Sequence, residues 1–293
     1  MSHGRPLSIF LLVLTMLWWG STFVVTKGGL DEIPPMRFAL LRFSVASLLL
    51  AAAAVARGGL SRLPRPAPWG TLTLMAFTGI ALYYVGFNLS LTYTSASQGA
   101  LVQSSSPAIT AIAAVWLLGE RVTRRRLVGI VLAIAGVLLI VARGAPDANA
   151  PSPLIGNLLM FGAVVLWSVY TAYAKRLAHA DPVVVMAVVA VLGTLMLVPP
   201  AVIEAARRPL AAISRESWLR IIYLGAFPSA AGFLLYSRAL RDLDATYAGI
   251  FINLVPVIGV VSGVLLLGDS ISLIALLGGA VVLMGIWVSS QSD

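Results

Sequence analysis

The chain has no cysteine, only two histidines and only eleven acids among 293 residues. Without thiols it can form no disulfide, thiolate metal site or thiol nucleophile, and redox chemistry assigns it no compartment. Charge is scarce throughout: Asp, Glu, Lys and Arg make up 11% of the residues, against roughly 25% in a soluble domain. The acids that do occur flank the apolar runs, and none falls near the centre of one. A proton-coupled carrier commonly holds an ionisable relay group within the membrane, so no buried carboxylate coupling site is expected. There is also no metal-ligand cluster, catalytic dyad or glycine-rich phosphate loop. These are the parts a membrane enzyme acting on lipid or isoprenoid substrates would need, so an enzyme is disfavoured and neither cofactor nor metal is expected.

What the chain has in excess is apolar length. Hydrophobic residues make up 59% of the sequence, and runs near the ~20 residues that cross a bilayer recur from end to end. Ten spans are expected, at about 7–27, 34–56, 69–91, 96–118, 125–142, 154–174, 182–203, 216–237, 245–267 and 271–290. The first is too long for the h-region of a signal peptide, and Trp18, Trp19 and Lys27 do not make a small-residue cleavage site, so it is read as retained. The net charge of +9 is distributed as the positive-inside rule requires. Twelve Lys and Arg lie on the side of the N-terminus and seven on the opposite side, which places both termini in the cytoplasm. Short loops with scattered arginines therefore need no nucleic-acid partner.

The chain also repeats itself. Ala96, Pro107, Gly119 and Glu120 recur 149 residues later as Ala245, Pro256, Gly268 and Asp269. Trp19 and Lys27 recur as Trp167 and Lys175, and Trp69 as Trp218. Each half then holds five spans. An odd number makes the second half enter from the opposite face, so the expected fold is an all-α membrane protein of ten transmembrane helices in two inverted five-helix repeats, residues 1–143 and 154–293. In transporters built this way the substrate site lies near the midplane, between the repeats.

The pattern of Trp19-Gly20-Ser21 leading to Lys27, Arg42 in the second span, and the Pro107 to Gly119-Glu120 module followed by Gly129 and Gly136 resembles the EamA-type members of the drug/metabolite transporter superfamily. The second half repeats Pro256, Gly268, Gly278 and Gly285. The resemblance covers nearly the whole chain and extends to bacterial amino-acid exporters, aromatic amino-acid exporters among them. It implies a multi-pass protein of the bacterial inner membrane that exports small metabolites. Asp269 in place of a second Glu, and the polar run Gln103-Ser104-Ser105-Ser106, depart from the family pattern.

Pro107 and Pro256 fall at the centres of spans 4 and 9, where a proline removes a hydrogen bond and kinks the helix. Both are candidate hinges. Gln103 and Ser106 share a face with Gly99 and Thr110, and Asn253 is the polar residue kept in the second copy. With Trp19 and Thr22 of span 1, Tyr83, Tyr84 and Asn88 of span 3, and Trp167 and Tyr170 of span 6, they describe an aromatic, polar and uncharged cavity. Such a cavity suits a small amino acid or related metabolite. For each Ser, Thr or Asn the competing reading is a hydrogen bond between helices, and for aromatics near span ends it is the interfacial belt, to which Trp69, Trp218 and Trp287 are assigned. Arg42 alone is a charge within a span; it meets a substrate carboxylate, pairs structurally or snorkels. Glu120 and Asp269 read as solvated helix ends, salt-bridge partners of Arg121 to Arg126, or gate contacts. Gly129, Ala133 and Gly136 on span 5 and Gly278, Gly279 and Gly285 on span 10 permit close helix approach, within a monomer by default, with a dimer left open. Drugs and cationic metabolites are the alternative substrates, but a cation favours a buried acid, and none is expected.

Overall fold

In the computed structural model, proline and short polar side chains start the helices that the apolar runs then continue. The structure describes residues 4–119, 123–142, 150–209, 212–239 and 251–290. The helices are α1 (Gly4–Leu30), α2 (Pro35–Val55), α3 (Trp69–Ala76), α4 (Leu82–Tyr93), α5 (Ala96–Gln103), α6 (Ser106–Leu118) and α7 (Arg124–Ala142) in the first half. In the second half they are α8 (Pro153–Arg176), α9 (Pro182–Arg207), α10 (Arg215–Leu224), α11 (Gly232–Ala239), α12 (Leu254–Leu267) and α13 (Leu273–Ser290). Pro35, Pro153 and Pro182 occupy first turns, where the missing N–H is no loss. Ser95, Asp181 and Ser214 cap α5, α9 and α10 by accepting a bond from a backbone N–H of the first turn. Gly119 (φ 69°) and Gly268 (φ 67°), the repeated glycines, end α6 and α12 in the left-handed conformation that costs a residue without Cβ least.

Two pairs of these helices are parts of longer rods. A π-helical turn at Phe77–Ala81 joins α3 to α4, and a second at Gly225–Ala231 joins α10 to α11. Among the described residues, seven stretches are helical, long and apolar enough to span a bilayer: 6–30, 35–55, 69–93, 96–118, 153–176, 182–207 and 215–236. The other three apolar helices are shorter, at 127–140, 254–267 and 273–288. Arg124 to Arg126 head α7, and a turn at Asn253 interrupts the ninth expected span, whose residues 245–250 lie outside the described ones.

Large apolar side chains face outward along the bundle, among them Leu48 (73% exposed), Leu265 (75%) and Trp116 (85%). A surface of this kind is stable only against lipid. The protein is therefore an all-helical, multi-pass membrane protein. Inside, α2 packs on α9, α5 on α12 and α7 on α13, while α1 lies against α11 and α12 and α8 lies against α4 and α6. The α7–α13 pair is backbone on backbone. A Cβ on Gly136 would stand 2.5 Å from the Gly278 carbonyl oxygen, and one on Gly285 would stand 2.5 Å from that of Gly129. The small residues thus pack these two helices within one chain.

Candidate functional site

The two π turns bring an aromatic group together at the heart of the bundle. Tyr83 and Tyr84 follow the first turn on α4, with ring centres 4.7 Å apart. Trp167 of α8 lies 5.2 Å from Tyr83 and 4.8 Å from Tyr170. Phe43 of α2 meets the edge of Tyr84 at 4.4 Å. Trp19 of α1 forms a second group with Phe233 (5.6 Å) and Tyr236 (5.3 Å). Phe233 joins the two, because it also walls a cavity with Phe43, Tyr84, Trp167, Tyr170 and Met186. That cavity measures about 10 Å³, room for about one water molecule and far below the ~300 Å³ at which small-molecule pockets begin. A larger space of about 490 Å³ lies between α3–α4 and α9, lined by Phe77, Ala81, Leu82, Val85, Met196, Leu197, Pro199 and Pro200. It offers no hydrogen-bonding side chain.

The residues singled out in the sequence divide into three sets. Tyr83, Tyr84, Trp167 and Tyr170 come together in one group, with Trp19 linked through Phe233. Trp19 Nε1 donates to the Pro228 carbonyl of the second π turn at 3.0 Å, and Tyr170 donates to Met186 Sδ at 2.9 Å. Two others bond to backbone carbonyls instead. Thr22 donates to the Trp18 carbonyl one turn back, and Asn88 Nδ2 donates to the Pro35 carbonyl of α2, leaving Asn88 Oδ1 buried without a partner among the described residues. Gln103, Ser106 and Asn253 sit at helix breaks. α5 ends at Gln103, Ser104 and Ser105 form a turn, and α6 begins at Ser106 with Pro107 in its first turn. In the second half Asn253 precedes Leu254, the start of α12, and Pro256 lies in that first turn. Gln103 Oε1 is also buried without a partner among the described residues.

Arg42 is the one cation in the interior of a described span, and it is 2% exposed. It does not snorkel. Nε donates to Ser229 Oγ at 2.9 Å and Nη2 to the Tyr84 hydroxyl at 3.4 Å, while the guanidinium carbon stands 4.6 Å from the centre of the Tyr84 ring. Nη1 is buried with no partner among the described residues.

Asp269 departs from the solvated helix end read from the sequence. It is only 4% exposed, and its Oδ2 accepts from the Ser97 backbone N–H at 2.8 Å, so the acid of the second module caps the first turn of α5. A carboxylate is therefore buried after all, at a span end. Glu120, its counterpart, lies outside the described residues. Close to the same end of the bundle Lys27 Nζ donates to the carbonyls of Leu91 (2.6 Å) and Thr94 (3.0 Å), and Thr94, Gln98 and Asn157 form a buried hydrogen-bonded group.

Sequence reasoning missed the π turns, and with them Ser229, Phe233 and the role of Phe43. A signal for them exists. Trp69 matches Trp218 at a separation of 149, but Ala76-Phe77 matches Ala226-Phe227 at 150. The register slips by one where the second half has the longer π turn, seven residues against five, and such π segments recur at functional sites.

Comparison with known proteins gives the family and the fold. The model of the EamA-like transporter family matches the chain twice, over residues 6–142 and 154–291. An Archaeoglobus fulgidus protein described as an uncharacterized transporter is 30% identical over 97% of each chain. A protein of Streptantibioticus cattleyicolor named "Probable terminal-alkyne amino-acid exporter" is 30% identical over 97% of this chain and 93% of its own. A Salmonella typhimurium protein named "Probable amino-acid metabolite efflux pump" is 25% identical over 96% of this chain and 93% of its own. A crystal structure 23% identical in sequence shares the fold with a TM-score of 0.67, covering 97% of this chain and 96% of that one. The chain belongs to the EamA-like transporter family and is a membrane transporter, not an enzyme.

Proposed function

We propose that the protein exports small amino acids and related metabolites from the cytoplasm by alternating access, as a ten-span carrier made of two inverted repeats, residues 1–143 and 154–293, in a bacterial inner membrane with both termini cytoplasmic. The observation that carries this reading is the aromatic group that both halves build around a cavity free of acids, from Tyr83 and Tyr84 on one side and Phe233 on the other. Helix pairing supports the inversion. Exchanging the halves turns the contact of α1 with α12 into that of α8 with α6, and the contact of α1 with α11 into that of α8 with α4. The two matches to the family model support the repeat boundaries. The exporter and efflux-pump names of relatives support the direction and the substrate class.

A cavity of about 10 Å³ admits no amino acid, so this conformation is closed and transport requires the halves to part. The breaks before Pro107 and Pro256 are the proposed bending points. Gln103, Ser106, Asn253, Trp19, Thr22, Asn88, Trp167 and Tyr170 are the proposed contacts once the cavity opens. The Asp269 to Ser97 bond and the polar group around Asn157 then hold one end shut between turnovers.

Proteoliposomes loaded with a panel of amino acids, nucleosides and cationic drugs, with and without a pH gradient, test the reading. Amino-acid flux above that of empty liposomes is the expected result, and its absence overturns the substrate assignment. Unchanged flux in Gln103→Ala, Trp167→Ala and Asn253→Ala would overturn the assignment of the cavity.

A further inference from the structure

We infer that Arg42 is the anchor for a substrate carboxylate, which makes the transported class organic acids and amino acids with a free carboxylate, not amines or amides. The inference rests on the export reading for its substrate and on the geometry of α2 for its site. Arg42 follows Pro35 by seven residues, about 10 Å along the helix at ~1.5 Å per residue, well below the helix end. It is 2% exposed, and no carboxylate among the described residues pairs with it; the ion pairs of this region belong to Arg37 and Arg220.

Such a charge is stable in a protein interior only when something neutralises it. Its neighbours do not. Ser229 and Tyr84 supply neutral oxygens, and the Tyr84 and Phe43 rings supply only their electron-rich faces, at 4.6 and 5.6 Å.

The direction of the fork specifies the missing partner. Ser229 occupies Nε, whereas the opposite edge carries Nη1, without a partner among the described residues, and Nη2 in a long 3.4 Å contact. That edge presents parallel N–H groups suited to a planar, two-oxygen acceptor of single negative charge, which is a carboxylate. Tyr84, whose ring lies under the guanidinium, also walls the small aromatic cavity with Trp167, Tyr170 and Phe233. A molecule held by its carboxylate at Arg42 would extend its side chain toward those rings when the cavity widens. Ser229 belongs to the second π turn, so the turn's irregular backbone places a hydroxyl from the second half against a cation from the first. Through this bond Arg42 is poised to respond when the halves part.

L-phenylalanine and L-phenylalaninamide separate the carboxylate from everything else, because both carry an ammonium group at about pH 6, below the ordinary α-amino range. For the unaltered protein the acid is expected to raise the unfolding midpoint in detergent and to be transported at least about tenfold faster than the amide. R42Q should abolish the preference for the acid over the amide, with R42K recovering part of it. If the acid is transported and R42Q leaves both flux and preference unchanged, the anchor is overturned while the export reading stands. If neither compound is transported but the acid still stabilises the unaltered protein and not R42Q, the export reading fails and the anchor stands. If the acid and the amide behave alike in the unaltered protein, the anchor is overturned whether or not R42Q folds.

Discussion

Glu32, in the turn between α1 and α2, gathers the first turn of α10 around one carboxylate. It accepts from the Ser214 backbone N–H, from Ser214 Oγ at 2.6 Å and from Ser217 Oγ, and these bonds hold its pKa below the ordinary carboxylate value, with Arg220 assisting. A group with a depressed folded pKa adds stability that is present above its unfolded value and is lost as the pH falls through the folded one. Unfolding midpoints in detergent should therefore drop on acidification below about pH 4.3, the ordinary glutamate value, and Glu32→Gln should flatten that drop. Asp269 supports a second prediction. Removing a charged acceptor from a helix start costs about 1.5–3 kcal/mol, so Asp269→Ala should lower the midpoint by several degrees, and Asp269→Asn by less because an amide oxygen still accepts from Ser97. Neither role was legible in the sequence: Glu32 stands there as an acid beside an apolar run, and Asp269, though marked by the repeat, offers a solvated end, a salt bridge or a gate contact. The partners Ser214 and Ser97 are 182 and 172 residues away.

Helices α7 and α13 are joined by backbone contact through glycines on both. Gly136→Val would drive its Cβ into the Gly278 carbonyl, and overpacking of this kind costs about 1–3 kcal/mol. Gly162 on α8 is the control, since a Cβ there meets nothing within 4 Å and Gly162→Ala should be neutral or mildly stabilising. Thermal unfolding of the two variants side by side checks both expectations. These contacts were partly legible, because small residues spaced along two equivalent spans announce close approach, but not which helix each would meet. The broken spans gave a similar partial view. Prolines 107 and 256 mark an interruption, yet the turns themselves fall just before them, at Ser104–Ser105 and Asn253, because a proline is accommodated in the first turn of the helix that follows. If the breaks act as hinges, Pro107→Ala combined with Pro256→Ala should slow flux while L-phenylalanine still stabilises the purified protein.

For the whole molecule, the absence of cysteine offers a direct test of topology. Single cysteines at Ser61, in the exposed turn after α2, and at Arg207, at the exposed end of α9, have no native thiol to compete with them. With cytoplasmic termini, a membrane-impermeant maleimide should label Arg207→Cys in intact cells and reach Ser61→Cys only after lysis; the reverse pattern would invert the proposed orientation. Composition and repeat had already indicated a helical membrane transporter, because burying so much apolar surface without lipid is impossible and because a duplicated motif survives as spacing along the chain. Periodicity is local, so Trp19, Tyr83, Tyr84, Trp167 and Tyr170 could be named in advance, though Phe43 and Phe233 were not. Their partners could not. That Tyr84 faces Arg42, that Phe233 closes the ring with Trp167, and that the Arg42 fork is left half empty all depend on contacts between spans far apart in the chain, and on π turns that rotate α4 and α11 out of the register a regular helix would keep.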